Sequence, residues 1–86
     1  MTWTLEFARS VPKSLRRLPL RDHRAVMAEL EEMRRDPLSG DVRRLTNHPV
    51  SFRRRVGSYR ILFDLDSASR TVLVHDVVRR SSTAYR

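Results

Sequence analysis

The 86-residue sequence contains no cysteine, so it forms neither a disulfide framework nor a thiolate metal site. A reducing cytoplasm suits that composition. Glycine occurs only as Gly40 and Gly57, which excludes a glycine-rich phosphate loop. No apolar run approaches the ~20 residues of a membrane span, and Met1 to Phe7 lacks the basic start and apolar core of a signal peptide. A soluble, untargeted chain with no membrane partner is expected. Repeats, low-complexity segments and Pro/Gly/Ser linkers are missing too, so residues 1–86 read as one domain. A domain of this size buries only roughly 60% of its unfolded surface, which leaves little room for an enclosed cavity and places any site on an open face.

Histidine is scarce and scattered. His23, His48 and His75 share no ligand spacing and have no cysteine support, so neither a metal nor another cofactor is expected. Ser81, Ser82 and Thr83 follow His75 and Asp76, but without the arrangement of a nucleophilic triad. What the chain does have is positive charge: eighteen Lys+Arg against ten Asp+Glu, a formal net charge of +8, with Lys13 the sole lysine. A GC-rich genome accounts for the arginine-to-lysine ratio as readily as function does, but not for the net excess. A protein this basic seeks a polyanion: nucleic acid, ribosome, anionic membrane or an acidic protein. Arginine in particular presents a planar fork of donors that grips phosphate bidentately.

Periodicity predicts an α+β fold, with an N-terminal strand, a two-helix hairpin and then a four-stranded antiparallel sheet. Trp3, Leu5 and Phe7 alternate along a first strand, with Trp3 expected in the core. Ser10 is positioned to cap a short helix with Pro12 in its first turn and Val11, Leu15 and Leu18 at helical spacing until Pro19. A second helix is predicted over Arg21 to Arg35, with Val26, Met27, Leu30 and Met33 as its core stripe and Glu31 four residues before Arg35, and Asp36-Pro37 ends it. Strands are then predicted at Val42 to Leu45, Phe52 to Val56, Tyr59 to Asp66 and Thr71 to Val78. Their short links imply an antiparallel meander.

Alternation sends Tyr59, Ile61, Phe63 and Leu65 to one face and Arg60, Leu62, Asp64 and Asp66 to the other. A hairpin through Gly57-Ser58 then gathers Arg53, Arg55 and Arg60 on one exposed face, while Arg54 falls on the Phe52 side. Charge runs on strands are most often solvated faces. Three arginines on one face nevertheless repel unless an anion or carboxylates compensate, and Asp64 and Asp66 are the candidates to supply part of that compensation. Arg79-Arg80 closes the last strand, and Tyr85 follows, so five arginines and a phenol are expected to converge. Arg54 and Arg79 are counted as phosphate-binding residues.

Leu45, the run from Phe52-Arg53-Arg54-Arg55-Val56-Gly57-Ser58-Tyr59-Arg60 to Phe63, Val72 to Arg80, and Tyr85 resemble the RelE/ParE superfamily of toxins from bacterial type II toxin–antitoxin systems, as does Asp36-Pro37 after the second helix. The resemblance spans nearly the whole chain. It implies an mRNA interferase: an endoribonuclease that cuts mRNA in the ribosomal A site and is held inactive by a cognate antitoxin. By position it implies catalytic roles for Arg53, Arg55, Arg60 and Tyr85, and for a basic residue at the end of the last strand. Aligning the strand core favours Arg80 for that role, and spacing to Tyr85 favours Arg79. The family's lysine at such positions is arginine here, which leaves Tyr85 for proton transfer and the arginines for phosphate. Two other readings carry the same fold: a ParE-like inhibitor of DNA gyrase, and an inactive toxin that acts as co-repressor with its antitoxin.

Overall fold

A computed structural model describes residues 2–80. They follow the order β1 (Thr4–Phe7), α1 (Val11–Arg16), α2 (Leu20–Arg35), β2 (Val42–Arg44), β3 (Phe52–Val56), β4 (Tyr59–Asp66) and β5 (Thr71–Arg79). The last four strands form the antiparallel meander that their short links imply. β1 does not stand apart from it. It pairs parallel with β5, so the α+β fold contains one mixed five-stranded sheet, ordered β1-β5-β4-β3-β2. The Trp3 amide donates to the Arg34 carbonyl at 2.6 Å, tying the entrance of β1 to the end of α2.

The helices cover one face of this sheet. Val11 and Leu15 from α1 and Val26, Leu30 and Met33 from α2 pack against Tyr59, Ile61, Phe63, Val72, Val74 and Val77, and Trp3 lies partly buried at the margin. The α2 stripe is narrower than expected, because Met27 falls beside it and stays 41% exposed. Ser10 occupies the N-cap position of α1 without a side-chain capping bond, and the helix ends at Arg16, before Leu18. On the outer surface of α2 the ion pairs have i,i+3 spacing, Glu31 with Arg34 at 3.4 Å and Glu32 with Arg35 at 3.7 Å, rather than the Glu31–Arg35 spacing.

Strict alternation fails at one place in β5. Phe63 pairs with Val74 but Leu62 pairs with Asp76, so His75 is an extra residue, a β-bulge. Before the bulge, Val72 and Val74 face the helices, and after it Val77 does. The bulge therefore inverts the facing of every residue that follows.

Gly40 leads into β2 with φ +77°, and a Cβ there would stand 2.8 Å from Nη2 of Arg54. L-residues disfavour that backbone region by roughly 1–2 kcal/mol. Gly40→Ala should lower the unfolding free energy by about that amount or more, because the Arg54 guanidinium is held in place by Glu29. Urea unfolding checks this, and an unchanged midpoint would show that the loop relaxes freely.

Candidate functional site

The β3–β4 hairpin turns through Gly57 and Ser58, with Val56 opposite Tyr59 and positive φ at Gly57 but not at Ser58. This is the type II′ pattern, whose twist suits antiparallel strands. Its register sets Arg55 against Arg60 and Arg53 against Leu62. Since directly paired residues share a face, Arg53, Arg55 and Arg60 lie together on the side away from the helices. Arg43 pairs with Arg53 and joins them. Sequence reasoning missed Arg43, although its place between Val42 and the core-side Arg44 signals it by simple alternation. Arg44 itself covers the Phe52 ring, 5.7 Å from its centroid.

The bulge at His75 decides where the terminal basic pair points. Val78 stands opposite Arg60, and Arg79 stands opposite Tyr59 on the helix side, its guanidinium 5.9 Å from the ring centroid. Arg80 follows at the turn end of the sheet, where its amide bonds the Ser58 carbonyl and its Nη1 donates to the Gly57 carbonyl at 3.0 Å. A shallow hollow there is lined by Ser58, Arg60, Arg79 and Arg80. The structure thus brings both Arg79 and Arg80 to one place, by different routes.

The carboxylate that tempers this charge is neither Asp64 nor Asp66. Asp41, in the loop before β2, accepts from Arg53 Nη1 at 3.1 Å through its side chain and again through its carbonyl, and its other carboxylate oxygen lies 3.7 Å from Arg55 Nε. Its carbonyl also receives the Arg55 amide. The hydrogen bond from Arg53 holds the Asp41 carboxyl below the usual carboxylate range, with the charges of Arg53, Arg55 and Arg43 assisting against some desolvation. Arg53 is consequently immobilised and only 6% exposed. Asp66 instead caps the β4–β5 turn by accepting from the amides of Ala68 and Ser69. Asp64 accepts from the Ser51 amide and pairs with His75 Nε2, each at 2.8 Å. Burial pushes Asp64 up, but the hydrogen bonds from Ser51 and His75 outweigh it and leave its carboxyl lowered.

Arg54 is not with the others. It faces the helices, where Nε donates to Glu29 at 2.8 Å with the arginine side chain 3% exposed. Tyr59, also on that side, donates its hydroxyl to Asp22 at 3.1 Å. Desolvation and that bond raise its pKa, with Arg79 opposing, so this phenol stays protonated at neutral pH. Tyr85, with Ser81, Ser82 and Thr83, lies outside the described residues. Among the described residues no group of three metal-ligating side chains is close enough to hold an ion, and no helix is long and apolar enough to cross a membrane. The arrangement is an open guanidinium face suited to an extended polyanion, with charge-assisted donors on at least two elements.

No family model matches the sequence, and no curated protein matches it. Solved structures do. A chain of the archaeal RelE–RelB complex from Pyrococcus horikoshii superposes with a TM-score of 0.82 at 20% identity, covering 96% of this chain and 100% of that one. A chain of the RelBE2 toxin–antitoxin complex from Mycobacterium tuberculosis gives 0.80 at 28% identity over 93% and 100%. The isolated RelE toxin of E. coli gives 0.77 at 20% identity over 96% and 90%. β1, the helical hairpin and the meander all fall within these matches, which span nearly the full chain, so this protein has the fold of the RelE toxins.

Proposed function

We propose that this chain is the toxin of a type II toxin–antitoxin pair and an endoribonuclease that cuts ribosome-bound mRNA in the cytoplasm. The observation that carries the reading is the placement of Arg55 and Arg60 on one open sheet face, beside the Asp41-anchored Arg53 and with Arg80 at its end. The cognate antitoxin is the partner suggested by the RelE–RelB complexes among the similar structures. The reaction is attack of a ribose 2′-oxygen on the adjacent phosphorus with loss of the 5′-oxygen, leaving a cyclic phosphate and a free 5′-hydroxyl. Negative charge grows on the phosphoryl oxygens, and guanidinium groups fixed in advance stabilise it. Arginine, with a pKa above about 12, does not remove the 2′ proton. We assign proton transfer to Tyr85 from its position in the chain, and phosphate binding to the arginines. The ribosome, by aligning the message, supplies the part of the barrier reduction that comes from orientation, up to about 7–11 kcal/mol.

Purified protein mixed with ribosomes programmed with a defined mRNA should give mapped cuts within the A-site codon. Intact message at large excess of protein would end the nuclease reading, and loss of gyrase supercoiling activity in the same preparation would replace it with the ParE-like one.

A further inference from the structure

A large share of the positive charge lies far from the sheet face. Arg9, Lys13, Arg16, Arg17, Arg21 and Arg24 are all exposed, on α1, the turn before it, its junction with α2 and the start of α2. The one carboxylate in that stretch is Asp22, and it is engaged by the Tyr59 hydroxyl. Among the described residues, the ion pairs involve Arg34, Arg35, Arg53, Arg54, Arg55 and His75, and none of these six cations. Helix-end electrostatics favour Lys13 and Arg16 in the last turn of α1, but Arg9, Arg21 and Arg24 sit elsewhere and gain nothing from it.

Amid these charges lies a shallow hollow lined by Arg16, Leu18, Leu20 and His23. Leu20 is 64% exposed, an uncommon position for leucine at the start of a helix surrounded by arginine. His23 is fixed by donation from Nδ1 to the Leu15 carbonyl at 2.9 Å. Guanidinium and imidazole planes beside a leucine form a surface on which an unpaired base stacks, and the flanking arginines reach phosphates on either side. Insertion into a lipid surface would need a broader apolar face than Leu20 provides.

We propose that this corner of the helical hairpin is a second RNA-binding surface, which takes the backbone of single-stranded RNA on its arginines and an unstacked base in the hollow. It lies in the helical layer, on the other side of the sheet from Arg53 and Arg60, so the two surfaces engage different RNA segments. It stands apart from the cleavage reading and is tested without ribosomes.

Binding of a labelled, fully 2′-O-methylated single-stranded RNA, which cannot be cleaved, would be followed by anisotropy across a salt series. Each phosphate contact contributes about 0.7 to the log–log salt slope for single strands. Combined Arg16→Gln, Arg17→Gln, Arg21→Gln and Arg24→Gln should reduce the slope by about 2–3 and weaken binding at least about tenfold. If that variant does not fold by thermal melting, Arg17→Gln and Arg24→Gln singly should each remove about 0.7. Leu20→Ser should weaken binding with the slope unchanged, the signature of a lost base contact. Wild-type slope and affinity in the arginine variants would overturn the proposal, as would unchanged RNA binding accompanied by lost binding to phosphatidylserine vesicles.

Discussion

Replacing Arg60 with alanine should slow ribosome-dependent mRNA cleavage by about 10²–10³-fold, and Arg80→Ala should do the same. That range is the usual cost of removing one preorganised donor from a developing oxyanion. The two residues are chosen because they share the hollow at the turn end of the sheet and come from different elements, β4 and the exit of β5. Single-turnover cleavage on programmed ribosomes measures the rate, and a melting curve for each variant separates lost chemistry from lost fold. Full activity in both variants would remove the site. Arg53 is a poorer probe, because its guanidinium also anchors Asp41 and its removal disturbs the loop before β2.

Glu29→Gln should destabilise the protein by about 3 kcal/mol, and Arg54→Met by much less. The asymmetry follows from burial. The Arg54 side chain is 3% exposed and the Glu29 side chain 34% exposed, so loss of the glutamate charge strands a guanidinium in the interior, whereas loss of the arginine leaves a carboxylate that reaches water. A methionine of similar length also restores apolar packing beneath the helices. Urea unfolding of both variants tests the difference, and equal losses would mean the pair behaves as a surface ion pair. Arg54→Met should retain RNA cleavage, since Arg54 faces the helices and not the open side of the sheet.

Much of the fold was legible because its signals are local. Period-two alternation in Tyr59 to Asp66 and the two-residue Gly57-Ser58 link fixed the hairpin, and with it the shared face of Arg53, Arg55 and Arg60. Harder to read were features that depend on distant partners. Nothing near Asp41 in the chain indicates that it would neutralise Arg53 and Arg55, twelve and fourteen residues on, and Asp64 looked better placed by alternation alone. Arg54 occupied an expected core-side position, but its partner Glu29 lies on a helix and is visible only once the layers are stacked. The bulge left a faint trace, the polar His75-Asp76 pair that interrupts the apolar run Val72 to Val74 and is followed by adjacent Val77 and Val78.

The parallel pairing of β1 with β5 has a consequence for biogenesis. Thr4 to Phe7 meet Thr71 to Val74, so the first strand has no sheet partner until almost the whole described chain has left the ribosomal tunnel. Closing a loop of that length is the entropically costly, non-local step of such a topology. The meander and the helical hairpin, by contrast, assemble from neighbouring segments. Completion of the sheet therefore waits until β5 has emerged, and a nascent copy does not present the finished five-stranded architecture before then.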